Sequence, residues 1–316
     1  ERLLISIQRQ YKVNDQIYTF LLQKRAESAI AKAASVSDNK ILDPARYENA
    51  SLILPKTKSN NMMGLVIGLL FPLFILILVD ITNDKITSRS DIEHKTSIPI
   101  ISTIGHNSAG GDVPVFDNPK SALAESFRGL RTNLQYLLRD NNQKMIAVTS
   151  TISGEGKTFC SVNLGAIFAM AGKKTLIIGL DLRKPKVHKI FSLDNSIGIS
   201  TCLIGQTSLD DVIKPTLISN LFIAPSGPVP PNPAELLDSP VLLKLLQQAR
   251  SSYDIIILDT PPFGMVTDAL LIAKHTDVNL FILRQNYSTK EILELMDELY
   301  LKKEIGAMGI IMNDIK

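Results

Sequence analysis

The apolar positions of this chain fall into three successive regimes. Up to about residue 34, Leu3, Leu4, Ile7 and Tyr11, then Phe20, Leu21, Ala26 and Ile30, recur at helical spacing with a break near Asn14 and Asp15. That pattern predicts two helical pieces. Turn formers around a short apolar stretch in SVSDNKILDPARYE predict a strand leading to a linker that includes Pro55. The second regime is MMGLVIGLLFPLFILILV, Met62–Val79, which contains no charged residue. Roughly 30 Å of hydrocarbon needs a run of about this length, and a buried core helix rarely stays apolar on every face for so long. The run therefore predicts a transmembrane helix. Gly64 and Gly68 form a GxxxG pair within it, a weak motif for close helix pairing, and Pro72 predicts a kink.

The third regime alternates strands and helices. IPIISTI reads as a strand, the Gly/Pro/Asn-rich GHNSAGGDVPVFDNP as a linker, and a helix follows from about Lys120 to Leu138. Six apolar runs come after it: MIAVT, TLIIGL, LFIAP, DIIILD, NLFILR and MGIIMN, with helical segments such as PVLLKLLQQARSS and TKEILELMDELYL between them. Continuous apolar strands alternating with helices belong to a parallel sheet covered on both faces. The expected fold is α/β: a doubly wound, mostly parallel sheet preceded by a transmembrane helix and a helical membrane-proximal stalk. The boundaries are a stalk end over 1–60, the membrane helix over 61–80, a linker over 81–118 and the sheet domain over 119–316.

Composition narrows the function classes. With 316 residues, 45% of them hydrophobic, the chain can bury at least one full core. The 34 basic and 31 acidic residues leave a net charge of +3, and no element gathers the bases, so nothing here resembles a nucleic-acid surface. Cys160 and Cys202 fall in helical segments and are expected to be buried thiols rather than a disulfide or zinc site. The start ERLLISIQRQY has the pattern of mid-helix, with neither an initiator methionine nor a signal peptide, so the chain is expected to continue something longer.

Polar residues at the carboxyl ends of three apolar strands carry the candidate chemistry, because an open α/β sheet binds its ligand there. In TSTISGEGKTFCSVNLG, Gly154 and Gly156 let the backbone turn its N–H groups toward phosphate oxygens, and the following helix adds its positive end. Lys157 would reach the outer phosphates and the Thr158 hydroxyl would bind Mg²⁺. Thr151 stands where the motif GxxxxGK[ST] has its first glycine. Asp181 follows the second strand, with Arg183 and Lys184 beside it, and Asp259 ends the third at the position of an acid that holds Mg²⁺. Mg²⁺ takes oxygen ligands, so Thr158, Asp181 and Asp259 form a coherent metal set. Flanking charge does not orient the membrane helix, since Lys56 and Lys58 lie before it and Lys85, Arg89 and Lys95 after it. A need for ATP places the residues after Val79 in the cytosol.

The ordered set ESFRGLRTNLQY, TSTISGEGKT, GLDLRKP, SGPVPPNPAELLDSP and YDIIILDTPPFGMVTDA resembles the bacterial tyrosine kinases of the polysaccharide co-polymerase, or chain-length determinant, family. The resemblance runs from about Ala122 to the end, and residues 1–80 are similar, more weakly, to the stalk and second membrane helix of such proteins. It implies a P-loop NTPase-like tyrosine autokinase using ATP and Mg²⁺, anchored in the bacterial inner membrane with its kinase domain cytosolic. Such a protein phosphorylates tyrosines in the C-terminal tail of a neighbouring subunit, and this cycle is tied to ring assembly and export of capsular or exopolysaccharide. The implied partners are further copies of the chain in a ring, the polysaccharide export and polymerisation machinery, and a cognate tyrosine phosphatase. The residues implied as nucleotide contacts are Ser153, Gly154, Glu155, Gly156, Lys157, Thr158 and Phe159, with Arg183. Those implied as catalytic are Lys157, Asp181 and Asp259. Glu125, Arg128 and Arg131 match the family's Glu-x-x-Arg-x-x-Arg motif at subunit contacts, while Leu123, Phe127, Leu130 and Leu134 make that helix's apolar stripe.

Two departures open a second reading. The family's Asp-x-Asp-x-Arg motif keeps Asp181 and Arg183 here, but Gly179 replaces its first aspartate, an aid to the tyrosine hydroxyl. The seven tyrosines are scattered rather than clustered at the end, and Tyr287 and Tyr300 are expected to be half-buried helix residues. The alternative is a nucleotide-binding co-polymerase scaffold whose oligomer state is gated by ATP. A partitioning or septum-positioning ATPase fits less well, because those relatives carry a lysine where this chain has Ile152 and lack a spanning helix.

Overall fold

A computed structural model describes residues 2–35, 47, 53–138, 145–264, 268–303 and 305–316. The chain divides into two compact units, Glu1–Ile77 and Leu78–Lys316. In the first, residues Arg2–Ala34 form one continuous helix with no buried residue, where the sequence predicted two pieces. Asn14 and Asp15 interrupt the apolar stripe, but neither is a helix breaker of the glycine or proline kind. The strand predicted in SVSDNKILDPARYE lies almost wholly outside the described residues. A second helix spans Thr57–Ile81 and continues through Pro72. Its segment Thr57–Val79 is, among the described residues, the one helix long and apolar enough to cross a membrane.

The second unit is built on one eight-stranded sheet. Its strands are β1 (Ile100–Gly105), β2 (Met145–Ser150), β3 (Thr175–Gly179), β4 (Lys214–Pro215), β5 (Leu221–Ala224), β6 (Ile255–Asp259), β7 (Val278–Arg284) and β8 (Ala307–Ile315). They lie in the order β1-β8-β7-β2-β6-β3-β5-β4. Every pairing is parallel except the short β4–β5 edge, which the sequence did not predict. Alternate side chains of each apolar run serve opposite faces. Thus Ile146 and Val148, Ile255 and Ile257, and Leu280 and Ile282 join the helices Ala122–Leu137 and Lys157–Met170 in one core. Ile256 and Leu258 instead meet Leu242, Leu245 and Leu246 of the helix Pro240–Ser252, and Phe281 and Leu283 meet Leu293 and Met296 of the helix Ile292–Lys302. Full burial of each such side chain contributes about 1.5–3 kcal/mol. The stripe Leu123, Phe127, Leu130 and Leu134 is buried as its period predicted.

Residues 81–118 are not a free linker. Ile86, Ile92 and Ile98 are buried against the β7 side of the sheet, a capped turn of helix covers Arg89–Glu93, and β1 forms the sheet's edge beside β8. Isolated isoleucines spaced by polar residues carry no clear period, which is why their packing was not legible in the sequence.

Candidate nucleotide site

Sheet order assembles the site. β2, β6 and β3 are adjacent, so the loop after Ser150, the carboxylate of Asp259 and the turn holding Asp181 meet at one end of the sheet. Backbone bonds fix their relative height: the N–H groups of Leu180 and Asp181 both donate to the Asp259 carbonyl at 2.9 Å. The segment after Asp259 is tied to the β2 loop, with Phe263 N–H donating to Ser150 O at 2.7 Å and Gly264 N–H to Thr151 O at 3.0 Å.

The loop Thr151–Gly156 then leads directly into the helix Lys157–Met170. Gly154 and Gly156 have φ of 102° and 94°, a region that favours glycine. A Cβ at 154 would also stand 2.8 Å from the Tyr287 hydroxyl, and one at 156 would strike Asn313 Nδ2. The loop's outer side is held by its neighbours: Tyr287 donates to Ser153 O at 2.9 Å, Arg284 to Gly154 O at 3.1 Å and Asn313 to Glu155 O at 2.9 Å. Tyr287 is exposed rather than half-buried, and it lies in the turn after β7 rather than in a helix.

Lys157, 8% exposed, points its ammonium between two carboxylates, 3.2 Å from Asp181 and 3.3 Å from Asp259. Thr158 Oγ1 and Ser161 Oγ donate to Asp259 at 3.0 and 3.1 Å. Burial pushes the Asp259 carboxyl above its ordinary range, opposed by the Lys157 charge and the Thr158 hydroxyl. Burial, with the Asp259 charge nearby, also pushes the Cys160 thiol up, so it stays protonated and inert. Thr158, Asp181 and Asp259 offer two carboxylates and a hydroxyl, hard oxygen donors that fit Mg²⁺ once phosphate oxygens complete the shell.

In front of this cluster lies a cavity of about 430 Å³ lined by Ser153, Gly154, Gly156, Lys157, Thr158 and Phe159 of the loop, and by Asp181. A second cavity, of about 290 Å³, opens on the loop's outer side among His106, Asn107, Arg284, Asn313 and Asp314. The two share Gly154, Gly156, Phe159 and Asp112.

Two residues expected to contact nucleotide are engaged otherwise. Glu155 is fully buried and turned inward, accepting from Thr151 N and Oγ1 at 2.5 Å, from Ile152 N at 2.9 Å and from Ser288 Oγ. Burial raises its pKa against those donors, and its work is to close the loop. Arg183 points its guanidinium at Asp268, with Nε–Oδ2 at 2.8 Å and a second bond at 3.3 Å. On the helix Ala122–Leu137, Glu125 pairs with Arg128 at 2.5 Å, and Arg131 turns inward to Ile167 O at 3.4 Å. Ser161, Glu155's partner Ser288 and Asp268 were missed in the sequence. The first was legible, since it stands one helical turn after Lys157. The other two were not.

A family model described as an AAA domain matches residues 143–305, and one described as a G-rich domain on putative tyrosine kinase matches residues 1–79. The chain is 30% identical over 328 residues to the tyrosine-protein kinase ptk of Acinetobacter johnsonii, a match covering all of this chain and 45% of that protein. It therefore spans about half the length of such curated relatives. It is 36% identical to the tyrosine-protein kinase YwqD of Bacillus subtilis over 65% of this chain and 86% of the relative. Among solved structures, the kinase domain of the Escherichia coli tyrosine kinase ETK superposes with a TM-score of 0.66 at 29% identity, covering 71% of this chain and 91% of that one. Joined to the strand-end cluster and glycine-rich loop above, these matches establish that the chain belongs to the bacterial tyrosine kinase family.

Proposed function

We propose that this chain is the anchored catalytic part of an ATP- and Mg²⁺-dependent protein-tyrosine autokinase that regulates assembly and export of capsular or exopolysaccharide. The convergence of Lys157, Thr158, Asp181 and Asp259 in front of a phosphate-sized cavity carries this reading. The β- and γ-phosphates lie along the loop N–H groups and the start of the helix Lys157–Met170, and the Lys157 ammonium moves from its two carboxylates onto phosphate. Thr158 and Asp259, with Asp181, would hold Mg²⁺, which would supply charge neutralisation at the phosphates. A tyrosine hydroxyl attacks the γ-phosphorus in line, the bond to the β–γ bridging oxygen breaks, and ADP leaves. The hydroxyl proton passes to an oxygen of the transferred phosphoryl group, and Asp181, at the cavity wall, acts by helping to hold the metal beside it. Positioning and charge neutralisation supply most of the rate in this chemistry, which is how a chain with Gly179 in place of an acid still works.

The helix Thr57–Ile81 anchors the chain in the bacterial inner membrane, leaving residues after it cytosolic. Homo-oligomerisation through Glu125, Arg128 and Arg131 presents a neighbour's tyrosines, with polysaccharide polymerisation and export proteins and a tyrosine phosphatase as further partners. Gly179 favours one alternative, a scaffold that binds ATP without transfer. Incubation of the chain with ATP and Mg²⁺ separates them by mass spectrometry of phosphotyrosine. Signal that falls at least about 100-fold in Lys157→Met supports the kinase; ATP binding with no phosphotyrosine in the parent supports the scaffold.

A further inference from the structure

The phosphate cavity also has a wall of cations outside the phosphate loop. Beyond Asp181 it is lined by Lys184, Lys186 and Lys189, with Asp112 among the other lining residues. All three lysine side chains are exposed, and none forms an ion pair among the described residues. His188, between them in sequence, is held below its ordinary range by burial and by Lys189, so it adds no cation at neutral pH. Three ammonium groups against Asp112 leave the rim positive.

Under the kinase reading the nucleotide's phosphates are met by the loop and Lys157, and the second cavity, across the loop, contains none of these lysines. The three lysines line the same cavity as Asp181 and the loop, so under the kinase reading they face the space in which nucleotide and acceptor meet. A bound nucleoside triphosphate makes that space negative, and an acidic polypeptide would be turned away unless fixed cations offset the field, which reaches about 10 Å at 0.1 M salt.

We propose that Lys184, Lys186 and Lys189 form an acceptor subsite for polypeptide segments whose tyrosine is flanked by aspartate or glutamate. This rests on the kinase reading above and names its substrate class.

The test uses the full chain in detergent micelles or nanodiscs, with Mg²⁺ and a non-hydrolysable ATP analogue. Fluorescent peptides carry phenylalanine in place of the acceptor tyrosine, flanked by Asp/Glu or by Lys, and binding is read by anisotropy. The acidic peptide is expected to bind about tenfold more tightly at low salt, with the preference collapsing near 0.5 M salt. Lys186→Glu/Lys189→Glu is expected to reverse the preference while the analogue's affinity stays within about twofold. Equal binding of both peptides overturns the proposal, as does a double variant that weakens the ATP analogue as much as the peptide. The matching tyrosine peptides with ATP then test the parent reading separately: selective binding without transfer to any peptide leaves the subsite standing and removes the kinase.

Discussion

At the scale of single residues, the replaced aspartate is the most informative position. Gly179 ends β3, and a Cβ there would stand 2.6 Å from Ser226 Oγ and 3.1 Å from Ser226 N. The site has no vacant seat for the family's acid. Gly179→Asp is therefore expected to destabilise the domain by about 1–3 kcal/mol instead of improving transfer, and Ser226→Gly in the same chain to recover part of that loss. Thermal melting of the single and double variants checks this; a Gly179→Asp protein as stable as its parent and faster at transfer would contradict it. Lys157, Thr158, Asp181 and Asp259 were legible because each is polar and ends or follows an apolar run. The inward role of Glu155 and the pairing of Arg183 were not, because their partners Ser288 and Asp268 lie 133 and 85 residues away, and no local period links such positions.

At the scale of elements, the seven strands other than the short β4 and the helices Ala122–Leu137 and Pro240–Ser252 were legible from runs of apolar residues between turn signals. The docking of residues 84–98 was not, since two carboxylates do much of it. Asp91 accepts from Thr87 N–H and Oγ1 and Ser88 N–H at 2.8–3.0 Å, closing the segment's own turn, and reaches Lys290 at 3.2 Å, while Ser97 N–H and the Thr96 and Ser97 hydroxyls donate to Asp297 at 2.7–2.8 Å. Partial burial opposes ionisation of Asp91, but these donors and Lys290 outweigh it and hold the carboxyl well below its usual range. The Ser97 N–H, with the two hydroxyls, does the same for Asp297. A carboxyl depressed by folding stabilises fully above its unfolded value of about 4 and loses that contribution as pH falls further. Asp91→Asn/Asp297→Asn is thus expected to cost about 1–2 kcal/mol at neutral pH, with the difference from the parent constant down to about pH 5 and closing below about pH 4. Melting curves across that range would expose the error if the gap widened on acidification.

At the scale of the whole sheet-bearing unit, the glycine-rich loop and the segment after the apolar helix grip the same turn. Asp84 O accepts from Lys290 N at 2.8 Å, Ile86 N donates to Ser288 O at 2.8 Å, and Asn286 N donates to Ile86 O at 2.8 Å. Ser288 and Tyr287 of that turn also bond Glu155 and Ser153. Loosening one grip is expected to loosen the other. Ser288→Ala, and independently Ile86→Ala, should weaken ATP by about 2–30-fold although neither residue lines the phosphate cavity; calorimetric titration showing unchanged affinity in both would rule the connection out.

The claim on which the rest depends is that the Lys157 cluster moves phosphoryl from ATP to tyrosine. A single-turnover incubation of the chain with γ-labelled ATP and Mg²⁺, following label on protein tyrosine and in free phosphate together, measures it most directly. The expected result is label accumulating on tyrosine faster than in free phosphate, and both disappearing in Lys157→Met. Label released only as free phosphate, or ATP retained intact in the parent, would contradict it.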